Sequence, residues 1–134
     1  MLEIIIGCGV CILLLILLII IYHNKFQYVI IKIEEAENNI CVLLDKKQEL
    51  LNRARPIIKK ELKLDESLVG ILEELGDNED MIVGSINYYN DSVVSFNKLV
   101  MSFPAKIVAF LFRYKKKEFH NNEKKEMYQI LNEK

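Results

Sequence analysis

Tryptophan is absent from this 134-residue chain, histidine occurs twice and cysteine three times. Those shortages exclude whole classes of chemistry. His23 and His120 stand far apart, with no His-Glu-x-x-His pair and no cysteine beside either, so zinc hydrolysis and Cys-His nucleophilic catalysis lack their parts. The five glycines form no glycine-rich phosphate loop. An odd number of cysteines, two of them inside an apolar run, gives no disulfide framework. Cys8 and Cys11 have the spacing of a metal or redox pair but no His or carboxylate near them. They read as small apolar filler, and with Gly7 as a small-residue face on which helices can pair. An excess of one charge is also missing: the net charge is −1. The body therefore has no electrostatic footprint for nucleic acid. No catalytic, cofactor-binding or metal-binding residue is expected.

Charge is missing altogether from Ile4 to Ile21, eighteen residues reading IIIGCGVCILLLILLIII. As a helix this run spans ~27 Å, close to the ~30 Å hydrocarbon core of a bilayer. A helix apolar on every side must otherwise be wrapped completely, and the chain is too short to wrap it. A cleaved signal would need a basic leader and a small-residue cleavage site. Only Met1, Leu2 and Glu3 precede the run, and Tyr22-His23-Asn24 follows it. A lipoprotein site at Cys8 would have too short an apolar core before it. The reading is a retained transmembrane anchor over residues 1–24, followed by one helical domain over 25–134. Lys25 and Lys32 flank the run on its C-terminal side only, which predicts an outside N-terminus and a cytoplasmic body. The Lys, Ile and Asn bias suits an AT-rich bacterial genome.

After the run, apolar residues recur at Phe26, Ile30, Ile33, Ile40, Leu44, Leu51, Ala54 and Ile58, seconded by Val29, Leu43, Leu50, Ile57 and Leu62. That three-and-four spacing marks a helix packed on a partner, with Glu37 and Lys47 on the same stripe. Pro56 predicts a kink, or a break near Arg55. Asp65 is a candidate N-cap for a second helix, whose stripe reads Leu68, Leu72, Leu75, Ile82, Ile86, Tyr89, Val93, Phe96 and Val100, interrupted by Glu79. Gly76-Asp77-Asn78 is a weak point in that helix rather than a turn. A short connection makes the two helices antiparallel, and a turn at Asp65 would set Leu44 against Ile86, Ile40 against Tyr89 and Phe26 against Pro104. Glu79 then comes within about a turn of Lys47, as an ion pair or as a carboxylate reaching water. Ser102 and Pro104 open a further apolar helix, and the tail from Glu118 is a short amphipathic helix or a frayed end. The fold class is all-α: an N-terminal transmembrane helix, a long antiparallel hairpin or up-and-down bundle, and a short C-terminal helix.

The stretch YYNDSVVSFNKLVMSFPAKIVAFLFRYKKKEF, from Tyr88, resembles the C-terminal signature of the LemA family, in which Tyr-Asn-Asp is followed by aromatic-Asn and then Phe-Pro. Matching positions include Tyr89, Asn90, Asp91, Phe96, Asn97, Phe103, Pro104, Phe112, Glu118 and Phe119, with Glu79 and Ile82 upstream. Ile33 to Leu50 is similar to the family's first soluble helix, with Ala36, Asn39, Ile40, Leu43, Lys46, Lys47 and Leu50 in place. Arg113 and Lys116 stand at Gly and Pro positions of the family, Cys41 at an Asp position, and the segment between Leu50 and Glu79 is shorter than usual. The resemblance implies a membrane-anchored bacterial protein of helical-bundle fold with no catalytic residue or cofactor.

Asn90, Asn97 and Asp91 could be mistaken for a catalytic cluster. Asn90 and Asn97 lie two turns apart on one helix face, where amides cap a turn or bond a neighbouring backbone, so they read as structural. The expected function is a membrane-anchored interaction or scaffold module, whose partners are the membrane and either a second copy or another helical protein. The alternative is a small bitopic division or envelope protein that assembles through a coiled coil. The hairpin would return Ile107 to Phe112, with the basic cluster Arg113, Lys115, Lys116 and Lys117, to the membrane surface. Either this stretch docks on lipid, or Ile107, Val108 and Phe112 pack on the base of the bundle.

Overall fold

The computed structural model describes residues 1–60 and 66–120. Three helices account for most of them: α1, Leu2–Lys60; α2, Glu66–Met101; and α3, Ala105–Leu111. Glu3 and Glu66 sit in the first turns of α1 and α2, and Lys59 and Lys60 in the last turn of α1, where they complement the helix dipole. Pro56 neither ends nor divides α1, contrary to the break expected near Arg55. Proline removes one backbone donor, and so close to the helix end few hydrogen bonds depend on it. The Asp65 cap and the tail 121–134 lie outside the described residues.

The chain divides into two compact units. One joins Ile33–Asp91 to the chain from Phe119, of which residues 119 and 120 are described. Its core is an antiparallel seam between α1 and α2. Leu50, Ala54, Leu68 and Ile71 form one buried cluster, with Ile57 and Leu75 against it. Ile40, Ile82 and Ile86 form another, flanked by Leu43 and Tyr89. Lys46 pairs with Glu74 at 3.3 Å, and Lys47 pairs with Glu79 at 3.0 Å.

The seam differs from the expected stripes by one residue in places. Leu43, Leu50 and Ile57 face the partner helix, whereas Leu44, Leu51 and Ile58 are exposed. Ala36 is buried where Glu37 was expected on the stripe, and Glu37 is exposed. On α2, Ile71 and Asn78 are buried, while Leu72 is exposed. Asn78 lies three residues after Leu75 and four before Ile82, so α2 passes through Gly76-Asp77-Asn78 as one helix with an amide in its seam. Of the pairings expected from a turn at Asp65, Tyr89 does pack against the cluster that holds Ile40, whereas Ile86 packs with Ile40 rather than with Leu44, which is exposed. The residues that join α1 to α2, between Lys60 and Glu66, lie outside the described residues.

The other unit joins Met1–Lys32 to Ser92–Glu118. The first part of α1 is bare: among the described residues, none of its most apolar eighteen-residue window is buried. Burial begins at Phe26 and Val29, and Val93, Phe96, Ala105, Val108 and Ala109 are buried in the rest of this unit. Phe26 meets Phe96 edge-on, with ring centroids 5.6 Å apart. After Met101 the chain bends by 91° through Ser102-Phe103-Pro104 into α3. The Ser102 hydroxyl does not cap α3; it donates back to the Lys98 carbonyl at the end of α2, and Pro104 occupies the N-cap position.

Candidate functional site

In the unit containing α3, an arrangement of side chains forms around Tyr114, and the route of the backbone explains why. At the end of α3, Tyr114 N–H donates to the Ala109 carbonyl and Arg113 N–H to the Phe110 carbonyl. These are the two bonds of a Schellman motif, which places the residue after the C-cap in the left-handed region. That residue is Arg113, with φ 58°. The reversal carries Tyr114 into a group of rings, 4.7 Å from Phe26 and 6.2 Å from both Phe96 and His23 between centroids. Phe112 lies 4.4 Å from His23. Gln27 Nε2 donates to the Tyr114 hydroxyl at 2.9 Å, and that hydroxyl lies 3.1 Å from His23 Nδ1. The ring edges bury apolar area while the hydroxyl keeps its polar partners, as a tyrosine at an apolar–polar boundary requires.

Residues 115–120 are not helical, and two of them are held by their peptide groups. Asn97 Nδ2 donates to the Lys117 carbonyl at 3.0 Å, and Lys117 N–H donates to Asn97 Oδ1 at 2.8 Å. One primary amide thus satisfies both polar groups of one residue, in the manner of a strand pair. The Lys117 ammonium lies 5.6 Å from the centre of the Phe96 ring, within cation–π range. Lys117 is therefore half-buried, unlike Arg113, Lys115 and Lys116, which are exposed.

The other unit repeats the device. Asn90 Nδ2 donates to the His120 carbonyl at 3.2 Å, and His120 N–H donates to Asn90 Oδ1 at 2.8 Å. The His120 ring stands edge-on to Tyr89, 5.9 Å between centroids. Within the same unit Ile82 is buried, Glu79 holds Lys47, and Asp91 is exposed. Asn78 Nδ2 donates to the Leu43 carbonyl at 3.0 Å, and its buried Oδ1 has no partner among the described residues. Of the remaining signature positions, Phe103 is 81 % exposed and Pro104 is half-buried.

Spacing in the sequence gave no sign of Tyr114, Gln27 or the ring contact of His23, because their partners lie some ninety residues away along the chain. Asn78 could have been found from its fit to the three-and-four rhythm of α2. Among the described residues no group of three His, Cys, Asp or Glu side chains could hold a metal ion. The grooves between α1 and α2, one lined by Arg53, Ser67 and Glu74 and another by Asn39, Ser85 and Tyr88, are open. Among the described residues the geometry holds helices and backbone in place.

An all-α protein is thus defined, with a bare apolar helix at its N-terminus and amide clamps on the residues that follow α3. The LemA family model matches residues 58–130, more than half of the chain, and the protein belongs to the LemA family. No curated protein and no solved structure gives a significant match.

Proposed function

We propose that this LemA protein is a membrane-anchored interaction module, with residues 4–21 as the span, the N-terminus outside and the helical body in the cytoplasm. The observation that carries this reading is the bare start of α1, whose apolar window has no residue buried among the described residues. Apolar surface of that extent is stable in lipid and costs free energy in water, at about 25 cal/mol per Å². The body works by presenting helical surface to partners. A second copy of the chain suits the face carrying Leu44, Leu51 and Ile58, which are exposed and spaced by sevens, the repeat of a helix-pairing seam.

Fusions after Lys134 test the anchor and its direction. A reporter active only in the cytoplasm should be active, and an alkaline phosphatase fusion, active only outside, should be silent. The reverse pattern overturns the orientation, and fusion protein released from membranes by alkaline carbonate overturns the anchor.

A further inference from the structure

In the unit that contains α3, the largest exposed apolar side chains beyond the N-terminal run gather on one side of that helix. Phe110 is 84 % exposed, and Ile107 and Leu111 about half, with Phe103 just ahead of them. Positions 107, 110 and 111 lie on one face of α3, and Phe103 precedes the helix in the bend. The opposite face, Ala105, Val108 and Ala109, is buried in the unit. Of the three residues offered for packing on the bundle, Val108 is buried and Phe112 lies against His23, while Ile107 is about half exposed.

Three observations bear on what covers the open face. The first is level: Phe112, at the end of α3, touches His23, which lies two residues beyond the apolar run. The second is direction, since α3 leaves α2 at 91°. If α2 returns toward the bilayer, α3 lies along its surface. The third is charge: from Phe103 to Lys117 there are five basic residues and no acidic one. Arg113, Lys115 and Lys116 are exposed there, complementary to anionic headgroups.

We propose that α3 is an interfacial helix, whose Phe103, Ile107, Phe110 and Leu111 enter the headgroup–acyl boundary of the bilayer that α1 crosses, with Lys115 and Lys116 on anionic lipid. The proposal rests on the anchor reading of residues 4–21. Docking fixes the angle and depth of the membrane-proximal unit.

The absence of tryptophan supplies a clean probe. Full-length protein with Phe110→Trp, and separately with Leu13→Trp, is reconstituted into vesicles of phosphatidylcholine and phosphatidylglycerol carrying nitroxide-labelled lipid. Leu13→Trp reports the anchor and should be quenched by a nitroxide deep in the acyl chains. Phe110→Trp should be blue-shifted and quenched severalfold more by a nitroxide near the headgroup than by an aqueous quencher. Adding Lys115→Glu and Lys116→Glu should lower the quenching of Phe110→Trp and leave that of Leu13→Trp unchanged. Quenching of Leu13→Trp without quenching of Phe110→Trp overturns the interfacial helix and leaves the anchor standing. A blue-shifted Phe110→Trp that no lipid quenches also overturns it, because the face is then covered by protein. Absence of quenching at Leu13→Trp overturns both readings.

Discussion

Arg113 holds a backbone angle that glycine adopts without strain and that costs a side-chain-bearing residue about 1 kcal/mol. It stands at a position where the family pattern has glycine, and the Schellman turn supplies the physical reason. Arg113→Gly should therefore raise stability by about 1 kcal/mol in thermal or urea unfolding followed by circular dichroism. An unchanged or lowered midpoint would mean that the guanidinium has a stabilising role of its own. Asn97 makes two hydrogen bonds to a part-buried peptide, so Asn97→Ala should cost about 1–2 kcal/mol. Asn90 makes the same two bonds where water can replace them, and Asn90→Ala should cost only a few tenths of a kcal/mol. Equal losses would show that exposure does not decide the strength of the clamp. Asn78 buries an amide with one of its two polar ends unsatisfied, while the Leu43 carbonyl it meets lies inside α1 and keeps the helix's own hydrogen bond as a partner. Asn78→Leu should thus be neutral or stabilise by about 1 kcal/mol, measured the same way. A loss of several kcal/mol would show that the amide is needed to hold the seam.

Neighbouring residues on α1 separate the seam from its edge. Leu50 is 2 % exposed and Leu51 is 36 % exposed, so Leu50→Ala should cost about 2–5 kcal/mol and Leu51→Ala far less. Comparable unfolding midpoints for the two variants would contradict the register described above. The same pair shows what could be read from the sequence. Helical periodicity revealed that α1 and α2 are long and apolar on one side, and the all-α class followed from it. It could not choose between adjacent stripes, because Leu43, Leu50 and Ile57 have the same spacing as Leu44, Leu51 and Ile58 and both sets are apolar. Only the partner helix makes the choice, through contacts such as Leu50 with Leu68 and Ile71. The ion pair of Lys47 with Glu79 was within reach because both residues interrupt apolar stripes. The Tyr114 group was not, since a ring and a hydroxyl give no periodic signal and their partners come from the distant α1.

At the scale of the whole chain, its surfaces matter more than its hollows. Full-length protein in mild detergent should sediment as a dimer or larger, and Leu51→Glu, which charges the exposed face without entering the seam, should return it to monomer. A monomeric wild-type chain would remove the second copy as partner. The two units also share a habit in how they treat the chain beyond α3. Each asparagine clamp ends on a peptide N–H and a peptide C=O, so it reads the path of the backbone and is blind to the side chain that the gripped residue carries. Nineteen of the twenty amino acids can supply that pair of groups, proline alone lacking the N–H. At Lys117 and His120 the clamps therefore fix the backbone alone, and the side chains are left to make contacts of their own, the Lys117 ammonium over Phe96 and the His120 ring against Tyr89.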